Sequence, residues 1–117
     1  MTQGIQGRAG LPDRSFAVHS ERSQTVQRVW LQGEMDLSVV DLVDTEMRRA
    51  EATDAKRIEL DLEALEFLDV SGLRLLLRLS RRSQRNGRRL RIRPARSTQV
   101  KRVLELTGVE ELLPIVR

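Results

Sequence analysis

The chain has 117 residues, enough for one domain with one hydrophobic core and too few for two. Its 39% apolar and 32% charged content suits a domain that folds alone, and the absence of cysteine excludes disulfide staples, zinc–thiolate sites and thiol nucleophiles. The net charge of +4 conceals a split: residues 34–69 hold twelve acids against four bases, and residues 70–104 hold twelve bases and no acid, so adjacent acidic and basic surfaces are expected rather than one basic footprint.

Residues 1–14 carry Gly4, Gly7, Gly10 and Pro12 without an apolar period, which predicts a flexible N-terminal tail ahead of a domain over 15–117. A short strand is expected over 15–20. A second, over 25–32, has Val26, Val29, Trp30 and Leu31 on both faces, as an internal strand does, and Gly33 is expected to end it. Ser38, with Asp41 three residues later, resembles a capping box opening a helix on Val39, Leu42, Val43, Met47 and Ala50 that ends near Thr53. Residues 56–62 alternate, with Ile58, Leu60 and Leu62 on one face and Arg57, Glu59 and Asp61 on the other, and Phe67 and Leu68 are expected to point inward.

A second helix is expected from about Ser71 on Leu73, Leu76, Leu77 and Ser80, widened by Leu75 and Leu79 and stopped by Asn86-Gly87. Leu90 and Ile92 face inward in a strand over 88–93 that Pro94 terminates. A third helix over 97–107 rests on Val100, Val103, Leu104 and Thr107 and is closed by Gly108; a last strand over 112–116 is confined to an edge by Pro114. The order β-β-α-β-α-β-α-β predicts a small single-domain α/β fold, a mixed and mostly parallel sheet with helices packed on it. No apolar run approaches the roughly 18 residues of a membrane span, and no signal-peptide core is present, so a cytoplasmic address is expected.

Three places stand apart from a plain core. In Phe67-Leu68-Asp69-Val70-Ser71-Gly72-Leu73 a strand-like run turns into a helix, where a serine hydroxyl either serves as an ordinary cap or presents an acceptor that the helix start would favour once phosphorylated. In Gly33-Glu34-Met35-Asp36 the two acids at a strand end either orient a ligand or are solvated. Arg74, Arg78, Arg81, Arg82 and Arg85 recur every three or four residues as one stripe of the second helix, either a solvated face or a surface for an acidic partner. Nucleic acid is not expected as a partner, since aromatics make up only 3% and leave little to stack on bases. Without cysteine or tyrosine, with His19 as its sole histidine and with no glycine-rich phosphate loop, the chain lacks a nucleophile paired with a base. No enzymatic activity, cofactor or metal is expected.

Taken together, Gly33-Glu34-Met35-Asp36 and Phe67-Leu68-Asp69-Val70-Ser71-Gly72-Leu73, with the tail Thr107-Gly108-Val109 and Leu112-Leu113-Pro114-Ile115, resemble the STAS family over about residues 15–116, specifically the bacterial anti-sigma factor antagonists. The resemblance implies a partner switch. An unmodified antagonist binds an anti-sigma factor that is also a serine kinase, of the histidine-kinase-like ATPase kind, and so frees a sigma factor for transcription. Phosphorylation of the serine, here Ser71, ends the binding, and a phosphatase restores it. Asp36 and Asp69 match the family's acidic positions beside that serine, and Asp36, Asp69, Val70, Ser71, Gly72 and Arg74 are the expected partner-binding residues.

The chain departs from the family pattern in three ways. Val70 stands where many relatives carry a second hydroxyl, the chain stops after the last strand where many add a helix, and the second helix is arginine-rich. Without that helix, either apolar surface is expected to be exposed for a homodimer or Arg117 simply marks a short natural end. The arginines also fit a GC-rich coding genome, since Lys56 and Lys101 are the only lysines. An alternative within the same family is a structural subunit of a signalling scaffold or a lipid-transport complex in which Ser71 is never phosphorylated.

Overall fold

Phe16 and Val18 alternate with half-buried neighbours in β1 (Phe16–Ser23), and Val29, Leu31 and Met35 do the same in β2 (Val26–Met35). The computed structural model describes residues 15–116, and the tail expected over 1–14 lies outside them. A turn at Gln24-Thr25 folds β1 antiparallel onto β2, with Phe16 opposite Gly33. β3 (Arg57–Leu68) and β4 (Leu90–Arg93) add in parallel to give the order β1-β2-β3-β4. Parallel neighbours need crossovers, and these are the helices α1 (Leu37–Glu51) and α2 (Val70–Arg85). This is the expected mixed, mostly parallel sheet, with β2 internal as its two apolar faces implied.

One face of the sheet is apolar. Val29, Leu31, Leu60, Leu62 and Ile92 are fully buried there against Val43 and Met47 of α1 and Leu75, Leu76 and Leu79 of α2. Val100 and Leu104 of α3 (Thr98–Leu106) complete the same core. The other face carries polar pairs: Arg28 on Glu59 (2.9 Å), Arg93 on Asp61 (3.8 Å), and His19 stacked on Trp30.

Three local expectations are corrected. Gly33 does not end β2, which continues to Met35; with φ +97 it is absorbed as an irregularity in the pairing with β3. Phe67 and Leu68 do not both point inward: adjacent strand residues face opposite sides, and the two register shifts against β2, between Trp30 and Gln32 and between Gly33 and Glu34, offset each other in the alternation, so Leu68 is buried on the side of Ile58, Leu60 and Leu62 while Phe67 is 38% exposed. The last strand is a single parallel bridge, Ile115 to Ile92, after a 3-10 turn at Val109–Leu112. Pro114 has no N–H to extend a ladder, although its carbonyl accepts from Ile92 N–H (2.9 Å) on the β4 edge.

The acidic and basic halves interleave as their charges imply. Arg82 of α2 donates to Glu51 (2.8 Å) and Asp44 (2.9 Å) of α1, and Arg89 donates to the carbonyls of Glu51, Thr53 and Ala55 at the end of that helix. Burial alone would raise the Asp44 pKa, but the hydrogen bonds and charges of Arg82 and Arg48 outweigh it and hold the carboxyl below its ordinary range. A depressed carboxyl contributes stability at neutral pH that is lost as pH falls through and below the normal aspartate range near 4. Arg82→Met is therefore expected to cost about 2 kcal/mol at pH 7, because it leaves two half-buried carboxylates without their bridge. Urea unfolding between pH 7 and pH 2 checks this: the gap between variant and wild type should narrow as the acids protonate, and a gap independent of pH would refute the electrostatic account.

Candidate functional site

β2 and β3 lie side by side, run the same way and stop together, with Met35 paired to Leu68 and the Asp69 N–H donating to the Met35 carbonyl (3.2 Å). The residue after each strand is an aspartate, Asp36 or Asp69, and each is in extended conformation as the N-cap of the helix that follows. Asp36 Oδ1 accepts from the Ser38 N–H (3.0 Å) and the Ser38 hydroxyl (2.6 Å), and Asp69 Oδ1 accepts from the Gly72 N–H (3.1 Å). Short carboxylates reach the free donors of a first turn, which explains aspartate at both places. The two motifs distant in sequence thus become neighbouring helix starts.

This geometry revises two readings. The cap of α1 is Asp36, with Ser38 bonded to it, in place of a Ser38-Asp41 box. The start of α2 is Val70 rather than Ser71, with Asp69 as its cap. Ser71 is therefore the second residue of the helix and does not cap it. Its side chain is partly exposed, and its hydroxyl has no hydrogen-bond partner among the described residues. Asp69→Ala is expected to destabilise the fold by about 1 kcal/mol and Asp69→Asn by much less, since asparagine caps as well as aspartate; thermal melting of the two variants checks it, and equal losses would show that the carboxylate's charge matters rather than the cap.

Around Ser71 the surface is apolar at the same end of the sheet: Leu37 is 73% exposed, Val70 59% and Phe67 38%. Gly72, expected among the partner-binding residues, is buried instead. A Cβ there would run into the side chains of Leu68 and Met35, so Gly72 acts from below by letting α2 start close to the strand ends. Asp36 is 9% exposed and likewise shapes the site from beneath. Arg74 is exposed one turn further on.

Gln99 was not legible as part of the site. Its side-chain oxygen accepts from the Leu68 N–H (3.1 Å) and its amide donates to the Leu68 carbonyl (3.2 Å), while the Ser97 hydroxyl donates to the Glu66 carbonyl (2.9 Å). β4 pairs with β3 only as far as Asp61, so the end of β3 would lack a neighbour on that side; α3 supplies one with side chains. Pro94, which ends β4 early, is the signal in the sequence that this edge needs another partner. Of the arginine stripe, Arg82 turns to α1, whereas Arg74, Arg78, Arg81 and Arg85 stay exposed and make no ion pair among the described residues. The described residues contain no group of three or more His, Asp or Glu able to hold a metal ion.

Comparison with known proteins agrees with this architecture. An anti-sigma factor antagonist from Mycobacterium paratuberculosis is 25% identical with a TM-score of 0.75, over 92% of this chain and 89% of that one. The anti-sigma factor antagonist SpoIIAA in its unphosphorylated form is 23% identical (TM-score 0.68, over 86% of this chain and 89% of its own). The Bacillus cell fate determinant SpoIIAA in its phosphorylated form is 22% identical (TM-score 0.63, over 86% and 92%). The two SpoIIAA likenesses establish a shared fold. The family model described as the STAS domain matches residues 18–117, nearly all of the chain whose strands, caps and serine-bearing helix start are described above, and the protein therefore belongs to the STAS domain family.

Proposed function

We propose that this protein is an anti-sigma factor antagonist. Unmodified, it docks on an anti-sigma factor that is a serine kinase of the histidine-kinase-like ATPase kind; phosphorylation of Ser71 ends the docking, a phosphatase restores it, and sigma-factor-dependent transcription follows the state of that one hydroxyl. The observation that carries this reading is Ser71 itself: a partly exposed hydroxyl released from capping by Asp69, at a helix start flanked by exposed Leu37, Phe67 and Val70. The naming of a 25% identical relative as an anti-sigma factor antagonist supports it.

The switch needs no change of fold. A phosphoserine adds about −1.5 to −2 charges at neutral pH. Backbone N–H groups of the first turn tolerate that charge in the free protein, whereas a partner seated on Leu37, Phe67 and Val70 would have to bury it beside Asp69. The protein supplies the acceptor, and the partner supplies nucleotide, metal and base. This work belongs in the cytoplasm, and no described helix is long and apolar enough to cross a membrane.

Incubation with ATP and the histidine-kinase-like ATPases encoded nearby, followed by phosphosite mapping, tests the assignment. One phosphate is expected, on Ser71, and none on Ser71→Ala. Incorporation at another residue would overturn the site.

A further inference from the structure

Five of the eleven arginines in residues 70–104 have partners for their side chains among the described residues. Arg82 bridges Asp44 and Glu51, Arg89 holds the end of α1, Arg91 donates to the Arg88 and Leu90 carbonyls, and Arg93 and Arg96 face Asp61 and Glu63. Arg74 has none. It is exposed, and among the described residues its guanidinium has neither an ion pair nor a hydrogen bond. It stands three residues after Ser71 in the same helix, and Ser71's hydroxyl is likewise without a partner.

Helical side chains three residues apart are neighbours, with Cβ atoms about 5–6 Å apart. Each Cα–Cβ bond in a helix also tilts toward the N-terminus, so a long side chain covers the turn before its own Cα. Arg74 therefore leans back toward position 71. Arg78, the next of the stripe, lies about 10 Å further along the axis from Ser71 and out of contact with it. Arginine's planar fork suits two phosphate oxygens at once.

We infer that Arg74 is the counterion of phosphorylated Ser71, its guanidinium donating to the phosphoryl oxygens within the same helix. Its use in the cell rests on the proposed phosphorylation of Ser71. One modification then alters the docking surface twice, adding an anion and withdrawing the nearest free cation from the partner. In the unmodified protein Arg74 faces outward and is available to an acidic group of that partner. The arginine is the feature that sets this switch apart from one that only adds negative charge.

The test uses the full chain with phosphoserine inserted at position 71 during translation, which needs no kinase, and follows the phosphorus NMR signal against pH. The second ionisation of phosphoserine lies near pH 6, and a paired guanidinium lowers it. Arg74→Ala is expected to raise the midpoint by about half a pH unit relative to the phosphorylated parent, and Arg74→Lys by less. Arg78→Ala removes the same charge from further away and is expected to move it by under about 0.2 unit. No movement with Arg74→Ala, or an equal movement with Arg78→Ala, would overturn the contact. The outcome is independent of phosphosite mapping: a shifted midpoint with no kinase modifying Ser71 would retain the pair and remove its cellular use, and the reverse result would retain the switch without Arg74.

Discussion

Replacing Ser71 by aspartate is expected to weaken the complex with the proposed partner kinase by about a thousandfold while leaving the isolated protein at least as stable as the wild type. The two effects have opposite signs because they arise in different places. In the free protein position 71 is in the first turn of α2, a turn that contains no acid, and a carboxylate there meets the unpaired N–H groups and the positive end of the helix dipole, a gain of about 0.3–1 kcal/mol. In the complex the same carboxylate would be buried beside Asp69 and among Leu37, Phe67 and Val70. Losing two central contacts of about 2 kcal/mol each gives the thousandfold change. Ser71→Ala, which adds no charge, should bind close to wild type. Titration of the three proteins against the kinase, beside their thermal melts, checks both halves; wild-type affinity for the aspartate variant would remove the switch, and a lower melting temperature would remove the electrostatic account of the helix start.

Gly33→Ala is expected to cost about 3 kcal/mol or more. The backbone at Gly33 has φ +97, which an L side chain rarely adopts, and an added Cβ would run into the Ser15 carbonyl oxygen. That oxygen is backbone and accepts from the Glu34 N–H (3.1 Å), so it cannot swing aside as a side-chain methyl would. Relief would require the start of β1 to separate from β2 at the Phe16–Gly33 pair, exposing Phe16, which is 3% exposed in the fold. Against a total stability of about 5–15 kcal/mol, such a loss is large. Because Asp36 follows three residues later, the alanine variant should also loosen the α1 cap. Urea unfolding gives the loss directly, and a midpoint within about 0.5 kcal/mol of wild type would show that the strand pair opens at little cost.

Much of the fold was legible because its signals are local. Alternation at Ile58, Leu60 and Leu62, the stripe through Leu73, Leu76 and Ser80, and the Asn86-Gly87 stop each act within one element and appear where expected. The misreadings in the sheet have separate causes. Phe67 was expected to point inward together with Leu68, although adjacent strand residues face opposite sides, and it lies outward. The last strand shrank to one bridge because β4 offers only a short edge and Pro114 contributes an acceptor and no donor.

From the sequence alone come the periods of strand and helix, the charge split and the two motifs, since these depend on residues a few positions apart along the chain. The tertiary structure alone decides which groups are left free. Parallel pairing of β2 with β3 sets Asp36 and Asp69 at adjacent helix starts and gives Asp69 the cap, which leaves the Ser71 hydroxyl without one. Arg74, Arg78 and Arg82 read alike as arginines of one helix. What distinguishes them is what the fold sets opposite each, and of these three only Arg82 meets Asp44 and Glu51 of α1.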